Sequence, residues 1–234
     1  MALKSANDPK PLLLVEGRDD AHVIKALAKR YSLINKDLEE ICSIKDFNQE
    51  DGGISLLLEE LSVALKGSYK TIAVVVDADT DIEKRWQQIR SLLSKNATVV
   101  PEKPLPQGTT VDVIVNEQST KTIRVGLWIM PNNRLPGMLE DFLQMLIADT
   151  SADQAMKTFA EQTFENMIAK KIHRFDEKLH WSKAFIHTWL AWQKDPGKPM
   201  GLAVTMKYFD ANQPVAKGFI DWLKQLCNIP ENTA

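Results

Sequence analysis

Two stretches of this chain are unbroken apolar runs that end abruptly in acid. Leu12-Leu13-Leu14-Val15 is followed by Glu16, and Val74-Val75-Val76 by Asp77-Ala78-Asp79. A run of four to six apolar residues bounded by a turn predicts a strand buried on both faces, as in a parallel sheet covered by helices. The spacing predicts strands over 11–16, 41–44, 71–77, 110–115 and 122–130. Between them the period changes to that of a helix. Val23, Leu27 and Tyr31 recur every four residues, and Leu57, Leu58, Leu61 and Leu65 share one face. Trp86, Ile89 and Leu93 do so again, and Leu139, Phe142, Leu143 and Leu146 form a further stripe after Gly137. Asp19 and Asp20 suit a helix cap and first turn, Asp51-Gly52-Gly53 reads as a turn, and Pro101, Pro104 and Pro106 mark a connector.

From residue 151 onward the strand signals stop. Helical patterns cover 151–171, 180–193, 202–208 and 215–226. The order predicts an α/β fold: a mostly parallel sheet flanked by helices over 9–150, then a helical C-terminal extension over 151–229 packed on that core. The apolar faces of the late helices also suit a homo-oligomer contact.

Composition narrows the class. The 234 residues are 44% hydrophobic and 26% charged, the balance of a globular protein. No apolar run approaches the ~18 residues of a membrane span, and the polar N-terminus lacks a secretory pattern. Cys42 and Cys227 stand far apart in the sequence, and with His22, His173, His180 and His187 they make no zinc spacing. A reducing, cytoplasmic setting without a membrane is the expectation. The net charge of −2 argues against a protein that coats nucleic acid by charge alone. No phosphate-binding loop occurs, because Gly52-Gly53 lacks the following Lys-Ser/Thr.

The acids at the strand ends carry the candidate chemistry. In parallel sheets, ligands sit beyond the carboxyl ends of the strands. Two carboxylates about 4 Å apart repel by roughly 4 kcal/mol at an effective dielectric near 20, so a cluster of them holds a cation or shares a proton. Asp77 and Asp79 are two apart, which on a strand aims both to one side. Glu16 suits a metal ligand or a general acid/base. Glu140, in the first turn of a helix, is a weaker candidate, since the helix dipole alone favours an acid there. Oxygen donors of this kind suit magnesium or manganese. Lys183 leads the basic candidates for neutralising charge on a substrate, ahead of Lys198, Arg18 and Arg134, because it lies within a helix whose register can be fixed; it shares a face of that helix with His187.

Val15-Glu16-Gly17-x-x-Asp20, followed by Asp77-x-Asp79, resembles the signature of Toprim domains, which occur in topoisomerases, bacterial primases and overcoming-lysogenisation-defect nucleases. Gly126-Leu127-Trp128-Ile129-Met130-Pro131-Asn132-Asn133, Gly137-Met138-Leu139-Glu140-Asp141 and Pro196-Gly197-Lys198-Pro199-Met200-Gly201 resemble a narrower prokaryotic Toprim-like family of unknown function. The resemblance implies a Toprim/Rossmann-like sheet and a Mg2+ or Mn2+ site built from Glu16, Asp77, Asp79 and Glu140. It implies phosphodiester hydrolysis on DNA or RNA, with Glu16 and Lys183 taking part. The overcoming-lysogenisation-defect nucleases carry an ATPase domain that this sequence lacks, so an ATPase or other protein partner in trans fits the expectation. The alternatives are a non-catalytic module that binds nucleic acid or a partner protein, and a phosphoacceptor domain in which Asp77 is modified and Asp19 and Asp20 supply the acidic pair.

Overall fold

The structure, a computed structural model, describes residues 9–31, 38–47, 53–95, 97, 99–116 and 119–229. The expected Asp51-Gly52 part of the turn lies outside them. The strands are β1 (Leu12–Val15), β2 (Ser43–Asp46), β3 (Thr71–Asp77), β4 (Thr109–Asn116) and β5 (Ser119–Met130). The helices are α1 (Arg18–Arg30), α2 (Leu38–Ile41), α3 (Gly53–Ala64), α4 (Ile82–Leu93), α5 (Leu139–Gln144), α6 (Ser151–Ala169), α7 (Glu177–Ala191), α8 (Met200–Thr205) and α9 (Pro214–Cys227). The architecture is α/β, as the alternation of periods predicts; the short α2 has no counterpart in that reading.

The sheet runs β2-β1-β3-β5-β4. The pairs β1–β2, β1–β3 and β3–β5 are parallel, and only β4 runs antiparallel, against β5. Alternate residues of each central strand enter opposite cores. Leu13, Val15, Ala73, Val75, Trp128 and Met130 face one layer, and Leu12, Leu14, Ile72, Val74 and Val76 face the other. The first layer contains α1, α5 and the helices after residue 151, whose Phe164, Phe185, Ile186, Trp189, Phe219 and Leu223 belong to the same continuous core. The second contains α3 and α4 through Leu57, Leu61, Trp86, Ile89 and Leu93. This double burial explains why β1 is wholly apolar and β3 carries no polar residue between Thr71 and Asp77. Burial at ~25 cal/mol per Å2 of apolar surface makes the two layers the principal source of stability.

Two close approaches seat the late helices. A Cβ on Gly201 would lie 2.7 Å from the His22 side chain, so α8 meets α1 only because that residue is glycine. The chain also brings together the two cysteines that the sequence separates. Cys42 and Cys227 are both buried, with their sulfurs 3.9 Å apart. Among the described residues no helix is long and apolar enough to cross a membrane.

From β1 the chain moves outward to β2, then returns past β1 to form β3 on its other side. The crossover helices α1 and α3 accordingly cover opposite faces. The reversal leaves a crevice at the carboxyl ends of β1 and β3, the position where open α/β sheets take their ligands.

Candidate functional site

Glu16 follows the last residue of β1, and Asp77 is the last residue of β3. The two ends are tied directly, because the Asp77 amide donates to Glu16 Oε1 at 3.0 Å. Asp20 enters from the first turn of α1 and Glu140 from the first turn of α5. All four residues are at most 6% exposed. The tertiary fold therefore converges four carboxylates from four elements on one crevice. It opens into a cavity of about 930 Å3 that Glu16, Asp77, Asp79, Arg85, Glu140 and Lys183 help to line. A second cavity of about 410 Å3 meets Asp77, Glu140 and Lys183 from the side of Asp20 and Arg18.

Local sequence explains the placement of each acid. Gly17 N-caps α1, which puts Asp19 and Asp20 in the first turn, where the helix dipole favours acids. Asp19 stays exposed while Asp20 turns inward. Before α5 the chain passes through Gly137, whose φ of 137° lies in a region that strongly favours glycine. Gly137 exchanges two backbone hydrogen bonds with Asp79, at 2.9 and 2.7 Å. Asp141 then accepts the Met138 amide at 2.8 Å and the Ser182 hydroxyl at 2.5 Å, which fastens α5 to α7. That clamp carries Glu140 into the crevice opposite Lys183.

Burial is the largest influence on all four acids. It pushes Asp77 well above the usual aspartate range, and Asp20, Glu16, Glu140 and Asp79 push it further. Asp20 is raised to about 8, first by burial and then by Glu16 and Glu140. Glu16 is raised by burial against the opposing pull of Arg85 and of the Asp77 amide. Glu140 is raised by burial, while its backbone hydrogen bond, Lys183 and His187 pull it down.

Asp79 differs from the geometry its spacing suggests. The strand ends at Asp77, and Asp79 takes a left-handed backbone (φ 53°) with its side chain 54% exposed. It therefore does not lie beside Asp77 as a strand neighbour. Its carboxylate accepts from Arg85 Nη2 at 2.5 Å. Asp81, not Asp79, caps α4, by accepting the Lys84 amide at 2.9 Å.

Arg85 is the site residue that sequence reasoning missed. It is buried, its Nε donates to the Asp77 carbonyl at 2.7 Å, and its Nη2 lies 3.9 Å from Glu16 Oε1. The available signal was its place one helical turn beyond the capping Asp81 and next to the core residue Trp86. Among the basic candidates, Lys183 lines both cavities and Arg18 lines the smaller; Lys198 and Arg134 line neither.

The donor chemistry fits a hard divalent cation. The crevice offers carboxylate oxygens, and two of them, Asp20 Oδ1 and Asp77 Oδ1, are buried without a hydrogen-bond partner. Among the described residues no three Asp, Glu, His or Cys side chains are grouped so that they hold an ion as they stand. The acids share a crevice without forming a closed cage.

No curated protein and no solved structure matches the chain. One family does, over residues 10–228, which takes in every strand and helix described above. The chain belongs to that family, described as "Protein of unknown function (DUF3226)".

Proposed function

We propose that this protein is a Toprim-like, Mg2+- or Mn2+-dependent hydrolase of nucleic-acid phosphodiester bonds. The observation that carries the reading is the set of four buried carboxylates at the β1/β3 switch point, two of them with unpartnered oxygens. The Glu16 and Asp77-x-Asp79 pattern supplies the likeness to Toprim nucleases.

Glu16, Asp77 and Glu140 would hold the cation, with Asp20 beside them. When bound, such a cation neutralises charge on a phosphoryl oxygen and activates a water for attack. The protein's own groups do the rest. Asp20, raised to about 8 in the metal-free chain by burial and then by Glu16 and Glu140, is placed to exchange a proton within the crevice. Lys183 carries positive charge opposite Glu140, where it can meet the charge that develops on a transferring phosphate. Arg85 holds the turn from Asp77 to Asp79 through its carbonyl and carboxylate bonds. Burial of the acids keeps bulk water from screening these charges.

The second reading is a non-catalytic module that binds nucleic acid or a protein. It draws on the lack of a ready ion cage among the described residues, and on the guanidinium that already serves Glu16 and Asp79.

Calorimetry with Mn2+ on the native chain and Asp77→Asn, paired with cleavage of labelled DNA and RNA, separates the two. The nuclease reading expects at least a hundredfold loss of Mn2+ affinity in the variant and cleavage only with Mg2+ or Mn2+. Native protein that binds no Mn2+, or an Asp77→Asn variant with full activity, overturns it.

A further inference from the structure

We infer that the substrate is a single strand, gripped by the first turns of α7 at the cavity mouth. This rests on the nuclease reading and adds to it the form of nucleic acid that the site accepts. Glu16, Asp77 and Glu140 line the cavity and are almost fully buried. A scissile phosphate must therefore enter the cavity instead of lying across its rim. A volume of about 930 Å3 is at the upper end of pockets that enclose a small molecule, on the order of 300–1,000 Å3. It accepts a short piece of extended strand.

The α7 wall of this cavity has a mixed character that suits such a strand. Lys178, His180 and Lys183 alternate there with Leu179 and Trp181. The Trp181 ring is held edge-on against Phe164, with centroids 5.1 Å apart. Leu179 is 52% exposed, an apolar side chain left at the mouth without burial in either core. Cations that track a phosphate backbone beside apolar or aromatic faces that contact bases are the general means of holding single-stranded nucleic acid. In a duplex the bases are stacked inside and cannot reach such surfaces without being extruded. The net charge of −2 does not favour a duplex held along the surface by charge alone. The basic groups of this wall line the same cavity as Glu16, Asp77 and Glu140.

The test uses fluorescence anisotropy with a dye-labelled single-stranded 12-mer, as DNA and as RNA, and the corresponding duplexes. It is run in calcium to keep the strand uncleaved and repeated in EDTA. The native chain is expected to bind one of the two single strands at least tenfold more tightly than its duplex. The double variant Lys178→Ala/Leu179→Ala is expected to weaken that binding at least tenfold. Both residues are exposed, so melting temperature and Mn2+ affinity stay at native values. Equal or tighter duplex binding, or unchanged affinity in the double variant, overturns the inference. Strand binding without Mn2+ binding overturns the nuclease reading and keeps this one. Mn2+ binding that Asp77→Asn abolishes, without strand binding, does the reverse.

Discussion

On one side of the crevice, Glu16 and Asp79 share the guanidinium of Arg85, which also donates to the Asp77 carbonyl. On the other side, Asp20, Asp77 and Glu140 form no ion pair among the described residues; Asp20 and Asp77 each keep an unpartnered oxygen, and Lys183 and His187 lower Glu140. Both sides are acidic, but the protein neutralises only the first. A buried charge without a partner is costly, so it shifts its pKa or waits for a cation. The first side is therefore already partly compensated by the protein itself. The second is where an external positive charge has most to offer, and it is also where the carboxylates are most strongly raised.

Removing Arg85 should have the largest effect. Arg85→Ala leaves Glu16 without its counter-charge and the Asp77 carbonyl without its donor. A broken buried pair costs about 3–5 kcal/mol, a melting temperature lower by roughly 6–20 °C for a chain of this size. Differential scanning calorimetry checks it. A loss below about 1 kcal/mol would mean that Arg85 does not hold the neutralised side together.

Asp20→Asn should act in the opposite direction and separate the two sides most clearly. Asp20 binds its proton far more tightly in the folded chain, at about 8, than at the usual aspartate value near 3.8. Between those values the folded state carries more protons than the unfolded one, so metal-free stability falls as pH rises. The contribution is fully present below about pH 4 and is lost by about pH 8; Asp77, Glu16 and Glu140 shift in the same direction. The amide removes the titration and keeps the shape. It should raise metal-free stability at pH 8, by at most about 5 kcal/mol for a shift from 3.8 to about 8, and flatten the decline between pH 5 and 8. Mn2+ should restore part of the native stability at pH 8 through binding linkage. A native chain whose melting temperature climbs steadily from pH 5 to 8 would contradict the uncompensated side.

The smallest effect belongs to Lys183→Met. Lys183 is exposed, so stability should change by less than about 0.5 kcal/mol. Its removal takes away a charge that holds Glu140 down, so the Glu140 carboxyl should titrate higher. Carboxyl carbon NMR across pH 4–9 reads that shift. An unmoved Glu140 would show that the ammonium does not act on the crevice.

Much of the fold was legible because β1 and β3 are buried on both faces, and only unbroken apolar runs tolerate that position. The strand expected over 71–77 matches β3 in both bounds, and the stripe of Trp86, Ile89 and Leu93 lies within α4. The acids were legible as interruptions at the ends of such runs. Asp79 was misread because two-residue alternation holds only while the chain stays extended, and the backbone turns left-handed there. Arg85 was illegible because an arginine within an amphipathic helix gives no sign of its partners. Asp20 looked like a helix-dipole residue beside Asp19, and only burial distinguishes the two.

Local periodicity is a property of consecutive residues, so the sequence by itself determined the alternating elements, the helical second half and the acids at the strand tips. Which acids meet was decided by topology. The return of the chain past β1 puts Glu16 against Asp77, and the Asp141–Ser182 clamp swings Glu140 in beside them. Their raised protonation and the one-sided neutralisation by Arg85 also belong to the tertiary structure. Both depend on how far each carboxylate is removed from water and on which charge lies within reach, and neither quantity exists until the chain is folded.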